Sequence, residues 1–157
     1  MVLGPIEQNI FGKGGIYECL HIQKKSMTLK EYRTKMGVFD KLTEGCSSAE
    51  VEDKVTLKIT QFWKNIVFSP PIYGADLLNT LMDHRAGAWN LNKLDSLLNH
   101  AIDIKVRGVT SSYCYIGSWK TLFCWHKEDL DLSAINFLHE GKSKFWYSIP
   151  SSQSHIL

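Results

Sequence analysis

The sequence predicts an α+β fold, with helices up to about residue 101 and a run of strands after Val109. Residues 51–63 and 89–101 repeat apolar side chains at the spacing of one helical face. From Val109 onward, aromatic and β-branched residues become dense between short turns, which is typical of strands. A length of 157 residues, 44% of them hydrophobic and 22% charged, suffices for one domain with its own core.

Glycine-rich turn signals open the chain. Gly4-Pro5 and the run Gly12-Lys13-Gly14-Gly15 predict turns within residues 1–15. Residues 15–23 have the mixed apolar and polar pattern of a strand, so a strand is predicted there.

Two capping boxes predict where helices begin. Thr28 and Glu31 stand three residues apart, so the hydroxyl and the carboxylate can each satisfy a free amide of the other residue. A short helix is expected to follow to about Lys35, and residues 36–45 are expected to form a loop. Residues 47–50 form the second box, which opens the helix predicted after it.

The middle of the chain predicts a strand, a turn and a helix. Residues 66–72 are expected to form a strand and then a turn, because adjacent prolines at Pro70-Pro71 cannot sit in a central strand. Leucines at helical spacing predict one continuous helix over residues 89–101. Further strands are predicted over residues 112–117, 120–126, 132–139 and 144–149. Residues 1–157 are expected to form a single unit, in which residues 1–65 precede a β-rich region over residues 66–157.

The bulk chemistry argues against several classes of partner. A net charge of +2 does not predict binding to a phosphate backbone, and no apolar run approaches the length of a membrane span. The four cysteines form no Cys-x-x-Cys pair, and the chain does not start with the pattern of a secretory leader. Free or buried thiols in a reducing compartment are therefore expected.

The motif His126-Lys127-Glu128 carries the chemistry. On an extended backbone, residues two apart point to the same face, so this imidazole and this carboxylate can bind one metal ion. They are two ligands of a 2-His-1-carboxylate triad, the set found in non-haem Fe(II) oxygenases. His-x-Glu alone is common by chance, but here it lies in strand-forming sequence and is followed by Asn136 and Lys144.

Residues 119–150 resemble the first half of the JmjC domain of the JMJD2-type histone lysine demethylases. The resemblance continues upstream, in the family's order and spacing, through residues 22–28, 62–65, 71–76, 89–91 and 108–109. It implies N-terminal helices packed on the first half of a cupin-like double-stranded β-helix (JmjC) barrel. It also implies a nuclear enzyme of chromatin that uses Fe(II), 2-oxoglutarate and O2 to remove N-methyl groups from the methylated histone H3 tail.

The resemblance assigns roles to ten residues, of which spacing alone supports two, His126 and Glu128. The implied iron ligands are His126 and Glu128. The implied 2-oxoglutarate contacts are Tyr73, Phe123, Asn136 and Lys144, the last of them pairing with the carboxylate. The implied substrate contacts are Asp76, Gly108, Tyr113 and Tyr115.

This sequence also departs from the family pattern. The JmjN segment, the third iron ligand and the structural zinc site are expected to lie outside these 157 residues, so poor turnover is expected of the chain by itself. Arg107 stands where the demethylases usually carry an acidic residue, and Cys19 and His21 replace amide side chains of the peptide groove. This sequence therefore matches the family pattern better at the iron and cosubstrate positions than at the peptide-contacting positions.

Two alternative functions stay open. The chain is compatible with a non-catalytic JmjC remnant that acts as a chromatin-interaction protein. It is also compatible with a JmjC hydroxylase, whose product would be a stable hydroxylated side chain rather than released formaldehyde. Neither sequence-specific nucleic-acid binding nor membrane association is expected.

Overall fold

The computed structural model describes residues 2–41, 51–78, 80–83 and 85–156, which fall into two units, Met1–His126 and Lys127–Leu157. Helices stand beside antiparallel strands, so the α+β prediction is confirmed. The elements of the first unit are β1 (Val2–Leu3), β2 (Ile6–Lys13), β3 (Ile16–Gln23), β4 (Met27–Thr28), α1 (Leu29–Lys41), α2 (Val51–Lys64), β5 (Ile72–Leu77), 3₁₀ turns at Gly87–Trp89 and Leu91–Lys93, α3 (Leu97–Ala101) and β6 (Cys114–Ile116). The second unit contains 3₁₀ turns at Asp129–Asp131 and Ser151–Ile156.

A two-residue hairpin turn sets the first part of the sheet. Gly14 and Gly15 have φ angles of 65° and 88°, and Lys13 pairs with Ile16 across them. Glycine reaches such angles without a steric penalty, and a type I′ turn needs positive φ at both central residues. The turn predicted at Gly14-Gly15 is confirmed, and Gly4-Pro5 separates β1 from β2. The prediction is wrong for Gly12 and Lys13, which lie in β2 and pair with β3.

The capping box at the start of α1 is confirmed. The Thr28 N–H donates to Glu31 Oε2 at 2.6 Å, and the Glu31 N–H donates to Thr28 Oγ1 at 3.2 Å. The helix then continues to Lys41, so the loop predicted from residue 36 is wrong as far as residue 41. Tyr32 and Met36 are buried one turn apart, and this packing extends the helix beyond what local propensity predicts.

Helix α2 forms where a helix was predicted. It spans Val51–Lys64, and its ring residues Phe62 and Trp63 contact Trp119 and Tyr17 at centroid distances of 6.3 and 6.1 Å. The second capping box, at residues 47–50, lies outside the described residues. Among the helices described, none is long and apolar enough to cross a membrane.

Local side-chain caps divide the helix predicted over residues 89–101. Asn90 accepts from the Asn92 N–H at 3.0 Å, and Ser96 accepts from the Asn99 N–H at 3.2 Å. Each cap starts a new short element, so the 3₁₀ turn Leu91–Lys93 and the five-residue α3 replace one continuous helix. The strand expected before Pro70-Pro71 is also misplaced, because β5 begins after the prolines.

The predicted strands of the second half form only in part. Cys114–Ile116 lies within the strand predicted over residues 112–117. Residues 120–126, 132–139 and 144–149 are assigned no strand in the described part of the chain. Aromatic and β-branched content favours extended backbone, but a strand also needs a neighbouring backbone to complete its hydrogen bonds, which composition does not supply.

The main sheet has the strand order β3-β2-β5-β6, and β5 and β6 present two different faces. The face called here the core face carries Ile72, Leu77, Cys114 and Ile116, which pack with Leu3, Met27, Tyr32 and Met36. The Tyr32 hydroxyl donates to the Ile72 carbonyl oxygen at 2.8 Å and lies 3.0 Å from that of Ile116. The opposite face is called the site face. It carries Gln8, Cys19, His21, Tyr73 and Tyr115, which the strand pairings place on one side.

Candidate active site on the second face of the sheet

A β-bulge shapes the site face. Gly74 pairs with Ile116 and Leu77 pairs with Cys114, so Ala75 and Asp76 together oppose one residue of β6. Asp76 has a φ of 52°, a left-handed conformation that aspartate tolerates better than most side chains. The extra residue returns Leu77 to the core face, as expected for a bulge that shifts strand alternation by one position.

The bulge brings Asp76 to a tyrosine of the neighbouring strand. The Tyr115 hydroxyl donates to Asp76 Oδ1 at 2.9 Å. Burial, the hydrogen bond to Asp76 and the charge of that carboxylate raise the pKa of the Tyr115 phenol well above its usual value of 10.0. Tyr115 is therefore a neutral hydrogen-bond donor at physiological pH.

Three aromatic rings form a compact cluster beside this pair. The ring centroids of Tyr73, Tyr115 and Phe123 lie 5.2 to 6.0 Å apart in all three combinations. The Tyr115 and Phe123 planes meet at 85°, an edge-to-face contact of the kind aromatic pairs prefer. Tyr113 lies 6.3 Å from Tyr115, and the His126 imidazole lies 5.9 Å from Phe123, so a series of rings leads to the histidine.

Tyr73 is the buried member of the cluster. Its side chain is only 6% exposed, and burial, followed by the charge of Asp76, raises the pKa of its phenol well above 10.0. Its hydroxyl therefore stays protonated and can donate to an anion.

Gly108 lies directly against Tyr113. A Cβ at this position would come within 2.5 Å of the Tyr113 Cε2 atom, and Gly108 has a φ of 78°. The Gly108 N–H donates to the Ser111 carbonyl at 2.8 Å, which holds the turn between the two residues. Both the backbone angle and the contact require glycine here.

The His126 ring is oriented by its own chain. Its Nδ1 lies 2.7 Å from the Cys124 carbonyl oxygen, and a carbonyl can only accept, so Nδ1 carries the hydrogen. In the neutral ring the lone pair then resides on Nε2. This arrangement fits a metal ligand, because ligating histidines commonly donate their second ring N–H to a carbonyl or carboxylate.

Comparison with known proteins relates the whole chain to one family. The family model "JmjC domain, hydroxylase" matches residues 113–157. Mouse lysine-specific demethylase 4B is 38% identical over 153 residues, which is 96% of this chain and 14% of that protein. Rat lysine-specific demethylase 4D is 36% identical over 160 residues, covering all of this chain and 30% of that protein. Human probable lysine-specific demethylase 4F is 35% identical over 161 residues, covering all of this chain and 24% of that protein.

Residues 113–157 thus match the JmjC domain, and the chain as a whole is similar to the lysine-specific demethylases 4. It spans between 14% and 30% of the length of these relatives. The helix-and-antiparallel-sheet architecture is consistent with part of a cupin-like JmjC fold. The JmjC match begins at Tyr113, so it includes the rings on β6 and the segment up to His126 but leaves Tyr73, Asp76 and Gly108 outside.

The predicted site residues are divided between the two units of the chain. The first unit brings together Tyr73, Asp76, Gly108, Tyr113, Tyr115, Phe123 and His126 through the contacts above. Glu128, Asn136 and Lys144 belong to the second unit. Within the described residues, no three histidine, cysteine, aspartate or glutamate side chains come together as a metal site. The assigned ligand and cosubstrate roles accordingly stay predictions.

In the second unit, Glu128 directly precedes the Asp129–Asp131 turn. Lys127 forms an ion pair with Asp131 at 2.8 Å on the exposed side of this turn. The Lys144 ammonium lies 4.6 Å from the centre of the Trp146 ring, and partial burial lowers the pKa of this lysine. Asn136 is exposed.

Two positioning residues escaped the sequence analysis. Gln8 is 1% exposed. Its side-chain amide donates to the Leu122 carbonyl at 2.8 Å and accepts from the Leu122 N–H at 3.0 Å, as the backbone of a neighbouring strand would. This contact holds the backbone next to Phe123. A glutamine between Ile6 and Ile10 on one strand face was the signal, since a polar side chain in an apolar row needs a partner.

Lys120 is the second residue of this kind. Its side chain is 6% exposed, and its ammonium donates to the carbonyls of Asn65, Phe68 and Ser69 after the end of α2. Burial lowers the pKa of the ammonium. The contact joins the turn after α2 to the start of the segment that leads to His126, and nothing in the local sequence indicates it.

Proposed function

We propose that this chain forms part of an Fe(II)- and 2-oxoglutarate-dependent oxygenase that removes N-methyl groups from lysines of the histone H3 tail. The observation that carries the proposal is the oriented His126 imidazole at the end of the Tyr73, Tyr115 and Phe123 ring cluster. It occurs in a chain similar over its whole length to proteins named lysine-specific demethylases. On this proposal the protein is nuclear and acts on chromatin.

The iron and cosubstrate roles follow from the chemistry of each side chain. His126 Nε2 and the Glu128 carboxylate would hold the iron, which together with 2-oxoglutarate and O2 supplies the oxidation that releases a methyl group as formaldehyde. The Tyr73 hydroxyl, which burial keeps protonated, would donate to the carboxylate of 2-oxoglutarate. Asn136 would donate beside it, and the Lys144 cation would pair with it. The Phe123 ring would lie against the cosubstrate.

The substrate side would be formed by the bulged edge. A methylated ammonium is a diffuse cation, which aromatic faces and oxygen acceptors bind well. Tyr115 and Tyr113 would supply the faces, and Asp76, oriented by the Tyr115 hydroxyl, would supply a negative charge. Gly108 would leave its backbone accessible to the peptide, because a side chain at that point is excluded by the Tyr113 ring.

The test is turnover by the natural polypeptide that carries this sequence. It is incubated with Fe(II), ascorbate, 2-oxoglutarate and trimethyl-lysine H3 peptides, and formaldehyde and peptide mass are followed. Catalytic loss of methyl groups is expected, and His126→Ala and Glu128→Ala should each abolish it. Lys127→Ala is the matched control, because Lys127 lies between the two ligands in the sequence and its ammonium pairs with the exposed carboxylate of Asp131. Turnover that survives both ligand substitutions would remove the metal assignment.

The cosubstrate role has its own test. Loss of one partner of a buried charge pair commonly costs about 2–5 kcal/mol, so Lys144→Ala should raise the 2-oxoglutarate requirement tens- to thousands-fold. Lys142 and Lys144 are both exposed in the structure, so Lys142→Ala is the matched control variant. An unchanged requirement in Lys144→Ala would exclude this lysine from the site.

The product separates the competing functions. The description of the matching family model names a hydroxylase, which favours hydroxylation as the second candidate. A peptide that gains one oxygen and keeps its methyl groups would indicate that reaction. Binding of the H3 peptide by the metal-loaded protein without any change in mass would indicate a non-catalytic chromatin-interaction protein instead.

A further inference from the structure

One asparagine side chain ties together the two segments that carry the substrate-side residues. Asn92 lies in the 3₁₀ turn Leu91–Lys93, 12 positions after Thr80 and 20 before Ser112. Its Nδ2 group donates to Thr80 Oγ1 at 2.7 Å, and its Oδ1 atom accepts from the Ser112 hydroxyl at 2.8 Å. Both ends of one amide are therefore bound to distant parts of the chain. These three side chains are called here the asparagine bridge.

The asparagine bridge lies where the pairing of β5 with β6 stops. The last described pair of that ladder is Leu77 with Cys114. Thr80 follows the end of β5, and Ser112 precedes the start of β6, so in this antiparallel pair both lie beyond the same end of the ladder. The amide of Asn92 spans the two segments at this point, in place of the backbone hydrogen bonds of a further ladder pair.

The tied segments carry residues of the proposed substrate side. Ser112 directly precedes Tyr113, whose ring centroid lies 6.3 Å from that of Tyr115. On the other segment, Thr80 comes shortly after Asp76, which accepts the hydrogen bond of the Tyr115 hydroxyl. Displacement of either segment would therefore change the spacing between the Tyr113 ring and the Asp76 carboxylate.

The chain between the two segments has few apolar contacts that could hold it in place. Its large side chains Trp89, Leu97 and Ile104 are mostly exposed. Regions with few buried apolar contacts open locally at a low cost in free energy. A polar tie that joins this region to β5 and β6 can therefore decide how well the substrate-side residues are ordered.

We propose that Asn92 is a positioning residue for peptide binding, which acts through Thr80 and Ser112 on the spacing between Tyr113 and Asp76. The inference rests on the proposed function, because it takes the bulged edge as the place where a methylated, basic peptide binds. It adds a residue that contacts neither the peptide nor the iron and still sets the affinity for the peptide.

Two substitutions cut the bridge from opposite ends. Asn92→Leu removes the amide and keeps the size of the side chain, and the turn should persist because Asn90 Oδ1 accepts from the Asn92 backbone N–H at 3.0 Å. Ser112→Ala removes the hydroxyl, and Ser112→Thr keeps one and should retain the bridge. Asn99→Ala is the matched control, since the Asn99 side chain donates to the Leu94 carbonyl at 2.6 Å within its own segment.

Hydrogen exchange tests the bridge independently of catalysis. The Gly108 N–H donates to the Ser111 carbonyl at 2.8 Å, and this bond opens when the segment before Tyr113 moves. Its exchange should become about three- to tenfold faster in Asn92→Leu and in Ser112→Ala, in line with the loss of one hydrogen bond. The double variant should be no faster than either single variant, because both cut the same bridge. Unchanged exchange, or effects that multiply in the double variant, would overturn the proposal.

Peptide affinity tests the positioning role. The natural polypeptide that carries this sequence is titrated against a fluorescent trimethyl-lysine H3 peptide, and fluorescence polarisation is followed. The dissociation constant should rise about three- to tenfold in Asn92→Leu and Ser112→Ala and stay unchanged in Asn99→Ala and Ser112→Thr. Formaldehyde release at saturating peptide should proceed at the parent rate, so that the change appears in KM and not in kcat.

The outcomes separate this inference from the proposed function. Equal affinity in all variants would overturn the positioning role, and so would a parent protein that does not bind the peptide. If the parent binds the peptide, the bridge variants bind it more weakly and no formaldehyde is released, the positioning role of Asn92 stands and the demethylase proposal fails.

Discussion

The two faces of β5 and β6 are built from neighbouring residues and carry opposite chemistry. On the core face, Leu77 and Cys114 pack with α1 and leave no more than 9% of their surface exposed. On the site face, Tyr115 binds Asp76, and Phe123 keeps 42% of its surface exposed. The core face therefore holds the sheet together, and the site face presents hydroxyl, carboxylate and ring groups that folding by itself does not need.

The contrast between the two faces should appear as a difference in stability. Leu77→Ala removes a buried side chain from the core and should lower the free energy of unfolding by about 2–5 kcal/mol. Phe123→Ala, on the site face, should cost only about 1 kcal/mol, in line with one favourable aromatic contact. Urea denaturation of both variants gives the comparison, and equal losses would show that the site face is as structural as the core face.

Gln8 is the site-face residue expected to behave like a core residue. Gln8→Ala leaves the Leu122 N–H and carbonyl without their side-chain partner and should cost about 1–3 kcal/mol. Asn9→Ala, on the opposite side of the same strand, removes one 3.2 Å bond to Glu7 and should cost less. Hydrogen exchange at the Leu122 amide should speed up in Gln8→Ala alone, and unchanged exchange would contradict the positioning role.

The buried phenol of Tyr73 should make stability depend on alkaline pH. Because its pKa in the folded protein is raised above 10.0, the unfolded chain loses this proton first as pH rises. Below pH 10 the phenol stays protonated in both states and its contribution to the free energy of unfolding is complete. Above pH 10 the free energy of unfolding falls by up to about 1.4 kcal/mol per pH unit. Denaturation between pH 8 and 11 should show this fall, and Tyr73→Phe should make it smaller, leaving the contribution of the Tyr115 phenol, whose pKa is also raised. If the free energy of unfolding of the variant falls with pH at the same rate, the Tyr73 phenol is exposed to solvent in the folded protein.

The smallest expected difference is the one between Gly108→Ala and Gly14→Ala, and it separates backbone strain from side-chain contact. Alanine in the left-handed region costs about 1–2 kcal/mol, which Gly14→Ala should show by itself, because Gly14 has a φ of 65° and open space around it. Gly108→Ala should cost about 1 kcal/mol more, since its Cβ also displaces the Tyr113 ring. Equal losses in the two variants would mean that the ring moves aside freely.

The sequence by itself determined the features that depend on neighbours along the chain. The capping pair Thr28 and Glu31, the paired glycines Gly14 and Gly15, and the helical period of α2 each act within a few residues, so their patterns are readable before folding. The resemblance likewise named the rings that meet on the site face, although it did not show how the strands bring them together.

Only the tertiary structure decided the features that join distant residues. The bulge at Ala75 and Asp76 and the partnership of Gln8 with Leu122 across 114 positions depend on which strands become neighbours. The same reason explains why residues 120–126 form no strand despite their composition. Packing of the chain decides which residues are buried and which groups become hydrogen-bond partners. A local sequence pattern indicates only which backbone conformation and which kind of hydrogen bond a residue favours.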